Sequence, residues 1–147
     1  MEMNVFKKIV HQYFKEKGFE KNKSKYYLNG EGFLCVIEIQ RSYYGPAYYI
    51  NYDFFLGKFE RPYAIKRESI ETYTPCVDGR FYFAEKHTYS CDYLDYTEED
   101  LRKILDSNFR ERILPPFQEG KKYLREHFGT LYVTFLPKER VWPFLED

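Results

Sequence analysis

Residues 33–56 read FLCVIEIQRSYYGPAYYINYDFFL. Two runs with the two-residue alternation of β-strands flank a Tyr-Tyr-Gly-Pro turn. In the first run Phe33, Cys35, Ile37 and Ile39 point one way, and Leu34, Val36, Glu38 and Gln40 point the other. In the second, Tyr48, Ile50, Tyr52, Phe54 and Leu56 share a face opposite Tyr49, Asn51, Asp53 and Phe55. If the two runs form a hairpin, one register sets position 40 beside 49, 38 beside 51 and 36 beside 53. Apolar positions then meet on the core face, and Glu38, Gln40, Asn51 and Asp53 gather on the opposite one. A slip of one residue mixes the faces and buries carboxylates, which is costly unless they are paired. Most of the aromatic run is therefore strand core. Tyr43 and Tyr44 in the turn, and Tyr49, Asn51, Asp53 and Phe55 on the outer face, are left for solvent.

On the N-terminal side, Phe6, Ile9, Val10, Tyr13 and Phe14 have the spacing of a helix with one buried stripe. Gly18 stands where a left-handed C-cap belongs, and Phe19 is placed to fold back on the last turn. Asn-Gly-Glu-Gly at 29–32 marks a hairpin turn into the strand that starts at Phe33. Residues 58–79 hold two prolines, mixed charge and no clean period, and predict a long connection with a short strand at 70–74. RFYFAEK and HTYSCDYL predict two further strands, with Asp78-Gly79-Arg80 as the turn entering the first.

Thr97 can cap a helix, with Asp100 in the capping-box position and Leu101, Ile104, Leu105, Phe109 and Ile113 as its buried stripe. Pro115-Pro116 predicts the end of that helix and the start of another, which Phe117, Lys121, Leu124 and Phe128 carry to Gly129. Residues 131–135 read as a short closing strand. The order of elements implies a single α+β domain over residues 1–147. It combines an antiparallel sheet of about four to five strands with an N-terminal helix and two C-terminal helices packed on one face. The other face is expected to be partly open to solvent.

Composition narrows function more by exclusion than by assignment. Lys plus Arg and Asp plus Glu number 23 each. Zero net charge argues against a general nucleic-acid or membrane-surface binder. Seven lysines in the first 25 residues, and the acidic residues of 92–100, read as solvated faces and a helix start. No apolar run approaches the roughly 18 residues of a membrane span. The first residues lack the apolar core of a signal peptide, and three cysteines without paired spacing suit reduced thiols. A cytoplasmic protein with no membrane partner is expected. Cys76, His87 and Cys91 match no metal-finger spacing, so neither metal nor cofactor is expected. The common nucleotide, hydrolase and metalloprotease signatures are missing from the sequence.

F-x-x-I-V-x-x-Y-F-x-x-x-G-F from Phe6 to Phe19, VIEIQRS at 36–42, YYIN at 48–51 and LPPF at 114–117 form a recognisable set. In these motifs the chain resembles a widespread bacterial family of uncharacterised domains, domain-of-unknown-function 4304. The resemblance covers residues 3–128 and leaves 129–147 as a C-terminal extension. It implies a fold and a bacterial origin, and it brings no catalytic residues with it.

A polar-aromatic sheet face without a catalytic signature predicts a non-enzymatic binding protein of the immunity or accessory type. Its expected partner is another protein, such as a toxin, docked on Glu38, Gln40, Tyr43, Tyr44, Tyr49, Asn51, Asp53 and Phe55. The alternative is a small ligand-binding domain or enzyme that uses Glu38 and Asp53 in an aromatic-lined cleft. RNA binding through the lysines beside Tyr26 and Tyr27 is a third reading, disfavoured by the charge balance.

Overall fold

A computed structural model describes residues 1–65 and 73–146 of the chain. Helix α1 spans Met3–Glu16 and buries the five residues of the expected stripe. Gly18 takes a φ of +91°, and the Phe19 N–H bonds back to the Phe14 carbonyl at 3.0 Å. The two phenylalanine rings meet edge to face at 5.3 Å, so the helix ends on a hydrophobic clasp.

Five strands follow: β1 (Glu20–Asn22), β2 (Lys25–Asn29), β3 (Phe33–Arg41), β4 (Ala47–Leu56) and β5 (Cys76–Arg80). They form an antiparallel sheet in that order, and the two-residue β6 (Cys91–Asp92) pairs with β4 at Ala47 and Tyr48. Helices α2 (Glu98–Asn108), α3 (Leu114–Glu119), α4 (Lys121–Glu126) and α5 (Lys138–Leu145) complete the α+β fold, with a π-helical turn at Phe109–Ile113.

The β3–β4 register is the expected one, with Gln40 opposite Tyr49, Glu38 opposite Asn51 and Val36 opposite Asp53. The inner face carries the core. Phe33, Cys35, Ile37, Ile50, Tyr52 and Phe54 are fully buried there. Phe6 of α1 stacks on Tyr48 at 5.2 Å, Phe117 of α3 meets Phe33 at 4.9 Å, and Tyr132 meets Phe54 at 5.6 Å.

The outer face departs from expectation at one end. Leu34, Val36, Asp53 and Phe55 are buried there rather than open to solvent. Phe55 stacks on Tyr73, and Tyr73 meets Phe135 edge-on at 4.7 Å. Apolar residues on both faces of a strand are the mark of two-sided burial, and Leu34, Val36 and Phe55 carry it.

Several boundaries also move. β5 lies in the stretch expected to be a connection and a turn, with Asp78 opposite Asp53 and Gly79 opposite Tyr52. A Cβ at Gly79 would collide with the Tyr52 ring and hydroxyl, which is why a glycine stands inside this strand. The two strands expected at 80–94 reduce to β6 and a single Phe83–Thr88 bridge, separated by short 3-10 turns. Asn108 of α2 takes the place of a strand partner there. Its side chain accepts from the Tyr82 N–H at 2.8 Å and donates to the Tyr82 carbonyl at 2.9 Å. The strand expected at 70–74 falls on residues outside those described, apart from Tyr73 and Thr74, which are in no strand. Of the closing strand at 131–135, two isolated bridges form: Tyr132 with Phe128, and Val133 with Asp78, which exchange both backbone hydrogen bonds.

Pro115-Pro116 does not end a helix. Both prolines lie in the first turn of α3, directly after the π turn, and the break falls at Gly120 with φ +83°. Prolines at 115 and 116 have no N–H for the carbonyls four residues earlier, those of Glu111 and Arg112. Two tyrosine hydroxyls fill the gap: Tyr123 donates to the Glu111 carbonyl at 2.7 Å and Tyr132 to the Arg112 carbonyl at 2.6 Å.

Candidate functional site

A cleft of about 580 Å³ opens at the uncovered end of the outer sheet face. The strand registers build its floor. Gln40 from β3, Asn51 and Asp53 from β4, and Asp78 and Arg80 from β5 share one face, because each strand alternates and the pairing is in step. Leu131, Val133 and Phe135 come from the segment that bridges the β5 edge, and Tyr52, Tyr89 and Arg112 are also among the lining residues.

The floor is a hydrogen-bonded network of planar groups. Asn51 donates through Nδ2 to Gln40 Oε1 at 2.9 Å. Arg80 donates from Nε to Asn51 Oδ1 at 2.9 Å and from Nη2 to Gln40 Oε1 at 3.4 Å. The Arg80 guanidinium lies 4.2 Å over the Tyr49 ring, a cation–π contact that fixes its plane. Each side chain is thus held by its neighbours before any ligand arrives.

Arg112 enters from the π turn. Its Nη1 donates to Tyr52 Oη at 3.3 Å and to the Arg80 carbonyl at 3.2 Å. Tyr52 in turn donates to the Leu131 carbonyl at 2.5 Å. Burial pushes the Tyr52 hydroxyl pKa up to about 12, and the Arg112 guanidinium partly opposes that rise. π turns recur at functional sites because they re-aim a side chain out of the helical register.

Among the described residues, Asp53, Cys76 and Asp78 form one group with metal-ligand chemistry, their donor atoms all within 4.8 Å of one another. The Cys76 thiol lies 3.7 Å from Asp53 Oδ1, and all three side chains have further interactions. The Cys35 thiol, buried behind this group, is pushed well above its ordinary pKa, first by burial and then by the Asp53 carboxylate.

Of the residues expected to form a site, Gln40, Asn51 and Asp53 line the cleft, and Tyr49 supports it from beneath Arg80. The rest are elsewhere. Glu38 pairs with Lys25 Nζ at 3.4 Å across the β2–β3 ladder, so Glu38 and Asp53 do not face each other as an acid and base would. Phe55 is buried beneath Tyr73 and presents nothing to solvent. Tyr43 and Tyr44 stand 95% exposed at the hairpin tip, outside the cleft.

Asp78 and Arg80 were expected in a turn rather than in a site, and Arg112 was not anticipated. The alternation of Cys76, Asp78 and Arg80 carries the signal for the first two. For Arg112 the only signal is the proline pair three and four residues downstream. Among the described residues, no helix is long and apolar enough to cross a membrane.

The geometry defines a class: an α+β domain with helices on one face of an antiparallel sheet and a polar cleft on the other. The chain belongs to the family described as domain of unknown function DUF4304, whose model matches residues 10–119, most of the 147-residue chain. The match takes in the cleft floor and Arg112 but stops short of Leu131, Val133 and Phe135. No curated protein and no solved structure matches the chain.

Proposed function

We propose that this protein is a binding domain for a small polar molecule held in the cleft. The observation that carries the reading is the Gln40–Asn51–Arg80 network pinned on Tyr49 in a cleft of about 580 Å³. That volume falls among small-molecule sites, which span roughly 300–1,000 Å³. A network already held by its own hydrogen bonds gives up little side-chain entropy on binding. The reading assigns binding and no reaction, because Glu38, the expected partner of Asp53, is tied to Lys25 outside the cleft.

Burial of Asp53 and Phe55 takes away much of the flat face on which a protein partner was expected to dock. A protein partner, of the toxin type or another, keeps one supporting observation: the 95% exposed Tyr43 and Tyr44, whose chemistry is that of interface anchors. A thermal-shift screen of sugars, nucleosides, amino acids and carboxylates separates the two readings. A ligand at about 100 times its Kd stabilises the fold by roughly 2.7 kcal/mol. Stabilisation by a hit should vanish in Asn51→Ala and persist in Tyr43→Ala/Tyr44→Ala. Hits unaffected by Asn51→Ala, or abolished only by the tip variant, would overturn the cleft reading.

A further inference from the structure

We infer that the group anchoring the ligand is an oxyanion, a carboxylate or a phosphate, received between Arg80 and Arg112, and that an apolar body lies against the outer lip. This inference rests on the cleft reading and narrows it. The first observation is where the two guanidinium groups spend their donors. Arg80 forms no ion pair among the described residues, and its Nε and Nη2 go to the neutral amides of Asn51 and Gln40. Arg112 has a side chain only 11% exposed, yet its hydrogen bonds go to a phenol and a backbone carbonyl. Its one carboxylate neighbour, Glu111, lies 3.7 Å away with a side chain 55% exposed, a weak and solvent-screened pair.

A guanidinium offers five N–H donors in a planar fork. Arg112 Nε and Nη2 and Arg80 Nη1 make no hydrogen bond among the described residues, and both side chains line the same cleft. The Arg112 fork is bonded to the backbone of Arg80 itself, so the two cations are rooted at one end of β5. Forked donors of this kind match a carboxylate or phosphate and form the stronger, charge-assisted hydrogen bonds. A cation this deep whose one anion, Glu111, is itself half exposed to solvent is costly, and a ligand oxyanion offsets that cost on arrival.

Among the described residues neither Asp53 nor Asp78 forms an ion pair with Arg80 or Arg112, and both have other interactions. Their presence on the floor disfavours a second anionic group on the ligand. The second observation is the lip. Tyr89, Val133 and Phe135 are 50%, 48% and 53% exposed and border the polar floor with apolar surface. The chemistry that fits both is one oxyanion on a flat apolar body.

Titration calorimetry with benzoate, phenyl phosphate and benzyl alcohol tests the assignment, with amide NMR shifts locating each probe. Benzoate or phenyl phosphate should bind, shifting the Arg80 and Asn51 amides, and the stronger of the two identifies the oxyanion. Benzyl alcohol should bind at least roughly tenfold more weakly, and Arg80→Gln should weaken the anion by a similar factor. Arg112→Lys keeps the charge but loses the fork and should also weaken it. Arg80 projects from the sheet onto Tyr49, so its variant reports on binding even if the Arg112 variant fails to fold.

Anions that bind no better than benzyl alcohol, or equally well to Arg80→Gln, overturn the inference. If neutral sugars or nucleosides shift Asn51 while the anions do not, the inference fails and the cleft reading stands. If no probe or screened compound shifts any cleft amide, both fail.

Discussion

Tyr52, Tyr123 and Tyr132 aim their hydroxyls at the backbone carbonyls of Leu131, Glu111 and Arg112, at 2.5, 2.7 and 2.6 Å. Tyr43 and Tyr44, by contrast, are 95% exposed. The same residue type thus serves as core donor and as surface ring. Burial pushes Tyr52 up to about 12 and raises Tyr132 further in the same direction. A group whose folded pKa is raised contributes stability that is fully present below its unfolded value, about 10 for tyrosine. That contribution is lost as pH rises through the folded value, which for Tyr52 means the interval from about 10 to about 12. Phenolate absorbance followed alongside far-ultraviolet circular dichroism should therefore show a phenolate step above pH 10 that coincides with unfolding. Tyr52 and Tyr132, both raised by burial, ionise in a steep step together with loss of secondary structure. Ionisation of Tyr52 and Tyr132 near 10 in a folded protein would contradict the burial described. The alternation in 48–56 was enough to sort Tyr48 and Tyr52 to the core. Tyr132 sits in a stretch read only as a short closing strand, so the role of its hydroxyl is visible only in three dimensions.

The β3–β4 hairpin was legible because it is long, alternates on both strands and fails badly when slipped, which are the conditions under which register is well specified. β5 was not, because Cys76-Val77-Asp78-Gly79-Arg80 is short, half polar and contains a glycine whose reason is the Tyr52 hydroxyl on another strand. The helical region shows a third case. The proline pair is plain in the sequence, but proline removes a donor without saying what replaces it. Here the replacements are two tyrosines, 12 and 20 residues beyond the carbonyls they serve, and this makes the π turn testable. Tyr132→Phe leaves the Arg112 carbonyl without its donor and should cost about 1–3 kcal/mol. Pro116→Ala restores a backbone N–H four residues after Arg112, so in that background the same Tyr132→Phe change should cost less. Urea unfolding of the four proteins of this double-mutant cycle measures the difference. An equal cost in both backgrounds would show that the Tyr132 hydroxyl is not standing in for the missing N–H.

At the scale of the whole molecule, the outer face is covered at one end and open at the other, and which end is covered is a long-range property. Alternation says which side a residue takes. It does not say that Tyr73 and Phe135 will come from far along the chain to lie over Phe55. The same limit applies to the cleft, whose floor is written in strand register while its lip is supplied by a segment beyond the family match at residue 119. That segment is not an appendage. Tyr132 and Leu145 are fully buried, Val141 and Leu136 nearly so. The Val133 backbone closes the β5 edge by bonding both ways with Asp78. Arg125 holds the Leu145 carbonyl at 2.9 Å, and Arg140 reaches back to the Tyr73 carbonyl at 2.9 Å. Removing one large buried side chain costs about 2–5 kcal/mol, against a total stability of roughly 5–15 kcal/mol for a domain. Ending the chain at Gly129 deletes four such residues and uncovers a sheet edge, so this variant should show no cooperative thermal transition. Ending it at Pro137 removes only α5, with Val141 and Leu145, and should leave a cooperative melt at a clearly lower temperature. Circular dichroism melts of the two truncations beside the full chain decide the matter. A Gly129 truncation that melts within a few degrees of the full protein would mean that the family-matched region folds by itself and that the cleft lip is an addition to a complete domain.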